Sequence, residues 1–600
     1  MLLLLTCRPT RAEKIDDLKP GRTYQVGKIS ITGNHAFSDS RLLAQMKTKM
    51  RPIYQSYQFW KKRPEFDSDV FTADLQRIRQ FYVAHGYFQA KVEYNLSTSQ
   101  EVVNASIQVT ENPPVTVQSL QIQVDNAVLP PEQPIYRSIK LKPGVIFDQT
   151  EYHRAEDVLR EHFLDTGHAH VTVDRRAHVN LAQNQARIWY RVHPGVSAVF
   201  GNTEIVGADH VAAEIVSRAL TYKPGERFSQ QQIEKSRANL LMLGLFALVR
   251  FDPQLHTGNP QVVPIKLTLR EKPKHQIQVG GGYNTESQFV ADFQWSDLNW
   301  QGDGRQLSLI ADYSSIDSAL GASLMQPFLF GLPNATGYLD LREDIQQVPT
   351  FTLFATRFLP RFQYAFTPEL VAYIGFRLEY AKLTAIDPTV VRALHGFRQS
   401  GFLSGPFAGL SMNTSDDPYY PHRGYVLNID AMQGGAIWGG AFNFYRVEAE
   451  LKHYEAIGWN TILATRFKVG TGDSLGSKYN YPLFYRFYAG GEGSVRGYGY
   501  WLLGPQSSDH TPLGGLSDIE GSFELRHPIW QQIGGALFLD FGQLSLRPYD
   551  LPISNLDFAA GPAVSYTTPV GPLRIDLGIP FKKPPGQQAW QVYFSIGQFF

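Results

Sequence analysis

Strict alternation of apolar and polar residues near the C-terminus most constrains what this chain can fold into. In Leu537–Gly542, three apolar side chains alternate with a second face that carries Asp540. The pattern recurs in Ser522–Arg526, with Glu524 on the second face, and in Leu573–Gly578. Successive side chains of a β-strand point to opposite faces, so these strands predict a membrane β-barrel with lipid outside and a polar lumen inside. A soluble sandwich would bury its apolar face and carry stronger charge outside.

The composition agrees with strands and argues against other classes. The sequence has no run of about 18 apolar residues, the length that a transmembrane helix needs. Aromatic residues make up 13% of the chain and glycines number 51, which favours strands, turns and aromatic girdles at a membrane interface. The 56 basic and 55 acidic residues give a net charge of +1, so no nucleic-acid partner is expected.

Residues 1–23 precede the first repeating pattern and are interpreted as a leader or linker. The run Leu2–Leu5 has the character of a truncated secretory signal, but no charged segment precedes it. It is also shorter than the usual minimum of about 7 apolar residues, so a signal and a plain linker both stay open. Cys7 is the one cysteine of the sequence, which excludes an intrachain disulfide.

A repeat organises the first part of the chain. Lys142–Phe147 recurs as Lys223–Phe228, 81 residues later, and Arg63–Phe66 is the equivalent stretch one interval earlier. After each Phe we predict a polar cap and a helix that ends at a glycine, with the third helix one turn shorter. These glycines are Gly86, Gly167 and Gly244. Each unit is predicted to run strand, helix, helix, strand, strand, which gives α+β domains at 24–113, 114–194 and 195–273.

From His275 onward the helical period disappears, and residues 274–600 are predicted to form the barrel. Sixteen strands are expected, an even number that suits a bacterial outer-membrane barrel. They begin near Gln276, Phe289, Arg305, Ala319, Thr336, Phe351, Leu370, Phe402, Tyr425, Phe442, Thr461, Ile519, Ala536, Phe558, Leu573 and Gln591. Because the sequence ends at Phe600 inside the last strand, that strand is expected to pair with the first to close the barrel.

The barrel is organised around the stretch Tyr488–Gly499. Five of its twelve residues are glycine, which allows turns and close approaches that other residues cannot make. Arg496 presents a planar fork of donors that binds two carboxylates at once. The acidic side chains on the inner faces of the strands are its candidate partners. A flexible surface loop with a solvated arginine is the alternative.

Beyond residue 24, nearly the whole chain resembles the BamA/TamA bacterial surface antigen family. The resemblance rests on the three repeats, the sixteen-strand barrel and a set of motifs in the second half. These motifs are Val495–Tyr498, Phe538-x-Asp540-x-Gly542, Gly571–Asp576 and the terminal Phe600. The repeats resemble POTRA domains, and a set of three is more similar to TamA than to BamA.

The resemblance implies a protein that folds clients into the outer membrane or, as in a sister branch, exports them. It implies an outer-membrane barrel with POTRA domains in the periplasm. The implied partners are unfolded clients, outer-membrane lipid and an inner-membrane protein that spans the periplasm. It also implies that the loop tucks into the lumen, where Arg496 reaches carboxylates. We interpret this group as a lock. Its residues are Val495, Arg496, Gly497, Tyr498, Glu524, Asp540 and, as a further carboxylate, Asp576.

A second predicted site is the lateral seam where the first and last strands meet. Gly280, Gly281 and Gly282 weaken the first strand, because glycine loses more entropy on folding and packs no side chain. Weak pairing with the strand that ends at Phe600 predicts sideways opening, which offers unpaired backbone groups to an incoming strand. A bulge that curves the barrel is the alternative role for these glycines.

Three hypotheses of function are compared. An insertase for outer-membrane proteins is preferred, an exporter that threads a soluble protein through the lumen comes second, and a porin or surface antigen comes third. No enzyme activity is expected, because no nucleophile motif occurs and Ser508–His510 are contiguous rather than arranged as a triad. No cofactor or metal is expected either. His162, His168 and His170 are interpreted as a solvated helix end.

Overall fold

A computed structural model describes most of the chain. The described residues are 14, 15, 18, 22–50, 64–99, 101–256, 258–418, 420–477, 480–530, 532–568, 571–583 and 586–596. Phe600 and most of the predicted leader, Cys7 included, lie outside them. The chain divides into two compact units, which are described separately. One unit holds residues 1–204, 222–235 and 251–267, and the other holds 205–221, 236–250 and 268–600.

Three α+β repeats form the N-terminal part. The first contains β1 (Tyr24–Thr32), α1 (Asp39–Gln45), β2 (Glu65–Phe66), α2 (Ser68–Ala84), β3 (Lys91–Ser99) and β4 (Val102–Thr110). The second contains β5 (Thr116–Val124), β6 (Ala127–Val128), α3 (Ile135–Ser138), α4 (Gln149–Asp165), β7 (Thr172–Asn180) and β8 (Gln185–His193). The third contains β9 (Val199–Val206), α5 (Ala213–Ala219), α6 (Gln230–Met242), β10 (Phe246–Pro253) and β11 (Val262–Glu271). Apart from the short β2 and β6, each repeat has the predicted order of strand, helix, helix, strand, strand.

The first repeat shows why these residues form these elements. The side chain of Asp67 accepts hydrogen bonds from two backbone N–H groups at the start of α2, as an N-cap does. The helix ends before Gly86, whose φ of 93° is the left-handed conformation that glycine adopts readily. An apolar stripe along α2, formed by Phe71, Leu75, Ile78 and Tyr82, is buried in the core of the repeat. The sheet under it has the order β2-β1-β4-β3, with β1 parallel to β4.

The second repeat copies this arrangement and the third shortens it. Asp148 caps α4, Gly167 follows that helix with a φ of 92°, and the sheet order is β6-β5-β8-β7. In the third repeat the sheet order is β10-β11-β9. Helix α6 has 13 residues where α2 and α4 have 17, and Gly244 follows it. The prediction of a shorter third helix is therefore confirmed.

Sixteen antiparallel strands form one sheet in the second half of the chain, as predicted. They are β12 (His275–Asn284), β13 (Gln288–Trp300), β14 (Arg305–Tyr313), β15 (Asp317–Pro327), β16 (Ala335–Gln347), β17 (Thr352–Ala365), β18 (Leu370–Thr384), β19 (Ser400–Asn413), β20 (Gly424–Gly434), β21 (Phe444–Gly458), β22 (Thr461–Ser474), β23 (Ser517–Trp530), β24 (Ile533–Ser545), β25 (Asp557–Thr568), β26 (Gly571–Pro580) and β27 (Gln591–Ile596). A short helix, α7 (Pro388–Ala393), lies between β18 and β19. The sequence patterns did not predict this helix.

The faces of these strands are inverted relative to a soluble sheet. Leu537 on β24 is 64% exposed, while Asp540 on the same strand is 0% exposed. On β23, Leu525 is exposed and Glu524 is buried. Apolar side chains therefore face outward and carboxylates face inward, as a barrel with lipid outside requires. No helix among the described residues is long and apolar enough to cross a membrane.

The seam of the barrel differs from the prediction. The sequence predicts that the first strand pairs with the last, but the hydrogen-bonded order runs from β12 to β27 without a ladder between these two among the described residues. Strand β27 pairs with β26 through its described residues, and the rings of Tyr283 and Phe594 meet across the seam at 6.2 Å. The two strands are therefore adjacent but not joined by backbone hydrogen bonds in the described part.

The three glycines of β12 do not form a bulge. The register of β12 with β13 is continuous over all ten paired residues, Gly280, Gly281 and Gly282 included. A bulge would have placed two residues opposite one. The bulge alternative is therefore wrong on the side of β13, and the glycines lie in a regular strand at the edge of the sheet.

Candidate functional site

The candidate site lies inside the barrel, where the long loop between β22 and β23 folds back. Arg496 of this loop is 3% exposed and Val495 is fully buried. Gly490, Gly491 and Gly497 have φ values of 99°, 110° and 100°, a conformation that strains any residue with a Cβ atom. The prediction that the loop tucks inward agrees with this placement. The alternative of a solvated surface loop is wrong.

The guanidinium of Arg496 binds three carboxylates. Its Nε donates to Asp540 Oδ2 at 2.8 Å and its Nη2 donates to Asp540 Oδ1 at 2.9 Å. Its Nη1 donates to Glu524 Oε2 at 2.7 Å and to Asp576 Oδ1 at 2.9 Å. The cation also lies 3.6 Å from the centre of the Phe538 ring. The structure thus brings together all three carboxylates that were named from the sequence.

The backbone of the loop strengthens this attachment. The N–H of Arg496 donates to Asp540 Oδ2 at 3.0 Å, so one carboxylate holds both the main chain and the side chain. The Ser522 hydroxyl donates to the other oxygen of Asp540 at 2.6 Å. Ser522 and Asp540 are register partners on β23 and β24, so the pairing of these strands places the hydroxyl beside the carboxylate.

Two arginines that the sequence patterns missed complete the group. Arg574 donates through Nη2 to Glu524 Oε2 at 2.7 Å and through Nε to Asp576 Oδ2 at 2.8 Å. Arg526 donates through Nε to Glu524 Oε1 at 2.7 Å. The signal was present, because each lies two residues from a named carboxylate and so on the same strand face. Three guanidinium groups therefore face three carboxylates.

The balance of charge explains why these groups tolerate burial. Burial alone would lower the pKa of the Arg496 guanidinium, but the charges of Asp540, Glu524 and Asp576 together raise it well above its ordinary value. A buried charge is expensive unless it is paired and hydrogen-bonded. We call this set of Arg496, Arg526, Arg574, Glu524, Asp540 and Asp576 the balanced cluster. Its members are joined by ion pairs and hydrogen bonds, so the arrangement attaches the loop to the strands around it.

The two residues that follow Arg496 attach the loop to the last strand. The N–H of Gly497 donates to the hydroxyl of Tyr593 at 3.0 Å, and this hydroxyl donates to the carbonyl of Tyr498 at 2.7 Å. A Cβ atom on Gly497 would lie 3.0 Å from the Cβ atom of Ala559, so the close approach requires glycine. Tyr593 on β27 was missed, because nothing in the local pattern links it to a loop 96 residues away.

Further contacts hold the rest of the loop. The Ser494 hydroxyl donates to Glu520 Oε2 at 2.6 Å, and Glu520 accepts from Lys468 Nζ at 2.9 Å. Earlier in the connection, the hydroxyl of Tyr485 donates to Glu379 Oε2 at 2.6 Å. The loop is therefore attached to strands on several sides of the lumen.

The predicted seam residues are not part of this attachment. Gly280, Gly281 and Gly282 lie in β12 and pair with β13, and Phe600 lies outside the described residues. Among the part of the chain that the structure describes, no group of three or more His, Cys, Asp or Glu side chains is arranged to hold a metal ion.

Sixteen strands with an apolar outer face, a charged lumen and three preceding α+β repeats define an outer-membrane β-barrel protein with an N-terminal repeat array. The model of the Omp85 superfamily domain matches residues 299–600, and the surface antigen variable number repeat, or POTRA, model matches residues 24–112. The chain belongs to the Omp85 superfamily.

Several proteins that are similar to this chain are named BamA. The outer membrane protein assembly factor BamA of Neisseria meningitidis serogroup B is 22% identical over 644 residues, which cover 97% of this chain and 79% of that protein. The protein of the same name from Nitratidesulfovibrio vulgaris is 23% identical, with 97% and 74% covered. The crystal structure of Haemophilus ducreyi BamA lacking POTRA domains 1–3 has a TM-score of 0.62 at 18% identity and covers 80% of this chain and 99% of that one. The resemblance to the BamA/TamA family is confirmed, while the closer likeness to TamA stays a prediction.

Proposed function

We propose that this protein is an outer-membrane assembly factor that inserts client proteins through the seam between β12 and β27. The observation that carries the proposal is the pair of neighbouring edge strands without a ladder among the described residues. Relatives that are named as assembly factors align with 97% of the chain, which supports the same function. The proposed role is physical rather than enzymatic.

The physical argument concerns unpaired backbone groups. Inside lipid, every N–H and C=O group needs a partner, so an unpaired strand edge at a barrel seam is a template for another strand. Each backbone hydrogen bond contributes about 0.5–1.5 kcal/mol net, so a seam whose described residues form no ladder costs little to open there. An incoming client strand that pairs with β12 gains those bonds.

The lock is the second part of the proposal. The balanced cluster holds the loop in the lumen beside β26 and β27, and we propose that this fixed position is needed for activity. The buried ion pairs of Arg496 with Glu524, Asp540 and Asp576 support it. Val495, Gly497 and Tyr498 shape the turn that presents the arginine.

The repeats are proposed to receive unfolded clients in the periplasm. The boundaries 24–113, 114–194, 195–273 and 274–600 are kept as proposed domain limits, since β1, β5, β9 and β12 begin close to them. Outer-membrane lipid and an inner-membrane protein that spans the periplasm are the further proposed partners. Exposed edge strands of the repeat sheets suit the capture of an extended client segment.

A reversible crosslink tests the seam. The rings of Tyr283 on β12 and Phe594 on β27 contact each other. In a Cys7→Ser background, Tyr283→Cys and Phe594→Cys place one thiol on each of these two edge strands. A disulfide needs Cα atoms within about 7 Å, and its formation ties the seam shut. We expect oxidation to stop client insertion and reduction to restore it.

The matched control crosslinks a pair that already belongs to a ladder. Gly282→Cys and Val290→Cys face each other on β12 and β13, so a disulfide there leaves the seam free. Full insertion by the oxidised seam variant would overturn the proposal and favour the exporter alternative, because threading through the lumen needs no open seam.

A further inference from the structure

A second contact of the loop lies at the turn between β12 and β13. The N–H of Glu492 donates to Glu286 Oε1 at 2.8 Å. The turn is closed by its own hydrogen bonds, because Asn284 Oδ1 accepts from the N–H groups of Glu286 at 3.0 Å and Ser287 at 2.7 Å. A Cβ atom on Gly491 would lie 2.5 Å from Glu286 Oε1, so only glycine permits this approach. The first hairpin of the barrel is therefore bound to the loop.

The same loop is bound to the other side of the seam. Tyr593 of β27 holds Gly497 and Tyr498, as described above. Before β27, the side chain of Gln587 accepts from the N–H of Gly499 at 2.9 Å and donates to the carbonyl of Leu502 at 2.9 Å. The loop thus contacts both the hairpin that contains β12 and the segment that contains β27, which share no ladder in the described residues.

We propose that the loop is a strap across the seam, and that the contact between Glu286 and Glu492 is its releasable end, held while the pair keeps a proton and released when both carboxyls ionise. The proposal deepens the proposed function and rests on it for the biological meaning of release. The strap contact itself is a property of the barrel, independent of any client.

The charges around the pair support release by ionisation. The groups that face it are Arg574 and Asp576 of β26, Tyr593 and Ser595 of β27, and Tyr500 of the loop. Of these groups only Arg574 is cationic, and it already donates to Glu524 and Asp576. One oxygen of the Glu492 carboxyl has no hydrogen-bond partner in the described structure. A proton is therefore the available means of neutralising the pair.

The pKa values give the direction. Burial raises the pKa of Glu286 to about 7, although the hydrogen bond from the Glu492 N–H lowers it. Burial and then the negative charge of Glu286 raise the pKa of Glu492 to about 8. A carboxyl whose pKa is raised by folding stabilises the folded contact at low pH and loses that contribution as the pH rises through the folded pKa. The contribution of the pair to holding the strap is therefore full below the ordinary carboxyl pKa of about 4.5, falls as the pH rises, and is lost above about pH 8.

Spin labels report the release directly. In the full chain with Cys7→Ser, Gly282→Cys and Gly493→Cys carry the labels, since a Cβ atom at either glycine meets no other heavy atom within 4 Å. We expect one narrow distance at about pH 6 and a second, longer distance at about pH 9, with a released fraction at least about tenfold higher. The measurement is made without client protein.

Two variants make the test specific. Glu286→Gln keeps an oxygen that accepts from the Glu492 N–H and cannot ionise, so the narrow distance is expected at both pH values. Glu286→Ala removes the acceptor, so the longer distance is expected at both. Glu369→Gln changes an exposed glutamate in the turn between β17 and β18 and is the matched control that should behave as wild type.

The proposal is overturned if the distance between the spin labels in wild type does not change with pH. It is also overturned if the distance distribution of Glu286→Gln broadens with pH as that of wild type does. Client insertion is measured separately in the same variants. Loss of the pH-dependent distance together with normal insertion contradicts the strap alone. An intact pH-dependent distance in a protein that inserts no client contradicts the proposed function alone.

Discussion

Two groups of ionisable side chains hold the same loop, and they differ in how the numbers of positive and negative groups compare. The balanced cluster sets three guanidinium groups against three carboxylates, with hydrogen bonds of 2.7–2.9 Å to Arg496. The pair of Glu286 and Glu492 has two carboxyls and no guanidinium bound to either among the described contacts. Balanced charges tolerate burial at any ordinary pH, whereas an unbalanced pair needs a proton. One attachment is therefore permanent and the other conditional.

Removal of Arg496 gives the largest expected effect, because it breaks the balance. Arg496→Ala leaves Glu524, Asp540 and Asp576 with an excess of negative charge in the lumen. Breaking a buried ion pair costs about 3–5 kcal/mol, and water in the lumen reduces this. We expect a folded barrel, a loop at 488–504 that proteases cut, and lost client insertion. Retained insertion with an unchanged protease pattern would contradict the lock.

A smaller change separates charge from geometry. Arg496→Lys keeps the positive charge but cannot reproduce the planar fork that binds Asp540 through two nitrogens. We expect a loss of about 1.5–3 kcal/mol in loop stability, the value of a lost hydrogen bond to a charged group. Protease resistance of the loop in urea measures it. Equal resistance of the lysine variant and wild type would show that charge alone suffices.

An uncharged attachment provides the reference for both groups. Tyr593→Phe removes the hydroxyl that accepts from Gly497 and donates to Tyr498, so a buried N–H group loses its partner. We expect a loss of about 1–2 kcal/mol, with no dependence on pH between about 5 and 9, because the hydroxyl does not titrate in that range. The midpoint of urea-induced loop cleavage measures this loss. A strong pH dependence specific to this variant would contradict the neutral role.

Neutralising the unbalanced pair has the smallest effect at low pH. Glu492→Gln replaces a carboxyl that is largely protonated in both the held and the released loop at about pH 4, so a change below about 0.5 kcal/mol is expected there. As the pH rises from about 4.5 to about 8, wild type loses stability because burial and the charge of Glu286 raise the pKa of Glu492 to about 8 in the held loop, while the variant does not. Loop cleavage at several pH values tests this. Parallel curves for the two proteins would contradict the conditional attachment.

Local patterns predicted the parts of the fold that depend on local sequence. The alternation around Asp540 placed this carboxylate in the lumen, and the caps and glycines placed α2 and α4 within the repeats. Strand ends were less accurate where glycine interrupts the pattern. Strand β24 begins at Ile533 rather than near Ala536, because Gly534 and Gly535 carry no apolar signal. Helix α7 was missed for a similar reason, since its six residues are too few to show a period.

The candidate site was predicted where a motif and a strand face coincide. Arg496 and its three carboxylates satisfy both conditions. Glu286 and Tyr593 belong to no such motif. Glu286 lies in a turn and contacts a loop residue 206 positions away, and Tyr593 lies in the edge strand β27 and contacts a loop residue 96 positions away. Contacts of this length follow from the closure of the barrel, which brings the first hairpin next to the last strand. The apolar and polar periodicity of a single strand does not show which distant segments the closed barrel brings together.

The direction of these contacts along the chain has a consequence for folding kinetics. The carboxylates that bind Arg496 are 28, 44 and 80 residues further along the chain, so Arg496 emerges during synthesis before these three partners. Contacts of high sequence separation form late, because the intervening chain has to be ordered first. The barrel therefore passes through a stage in which β23 to β26 are paired and the arginine is still solvated. Capture of the loop is expected to be the slow, final phase of maturation.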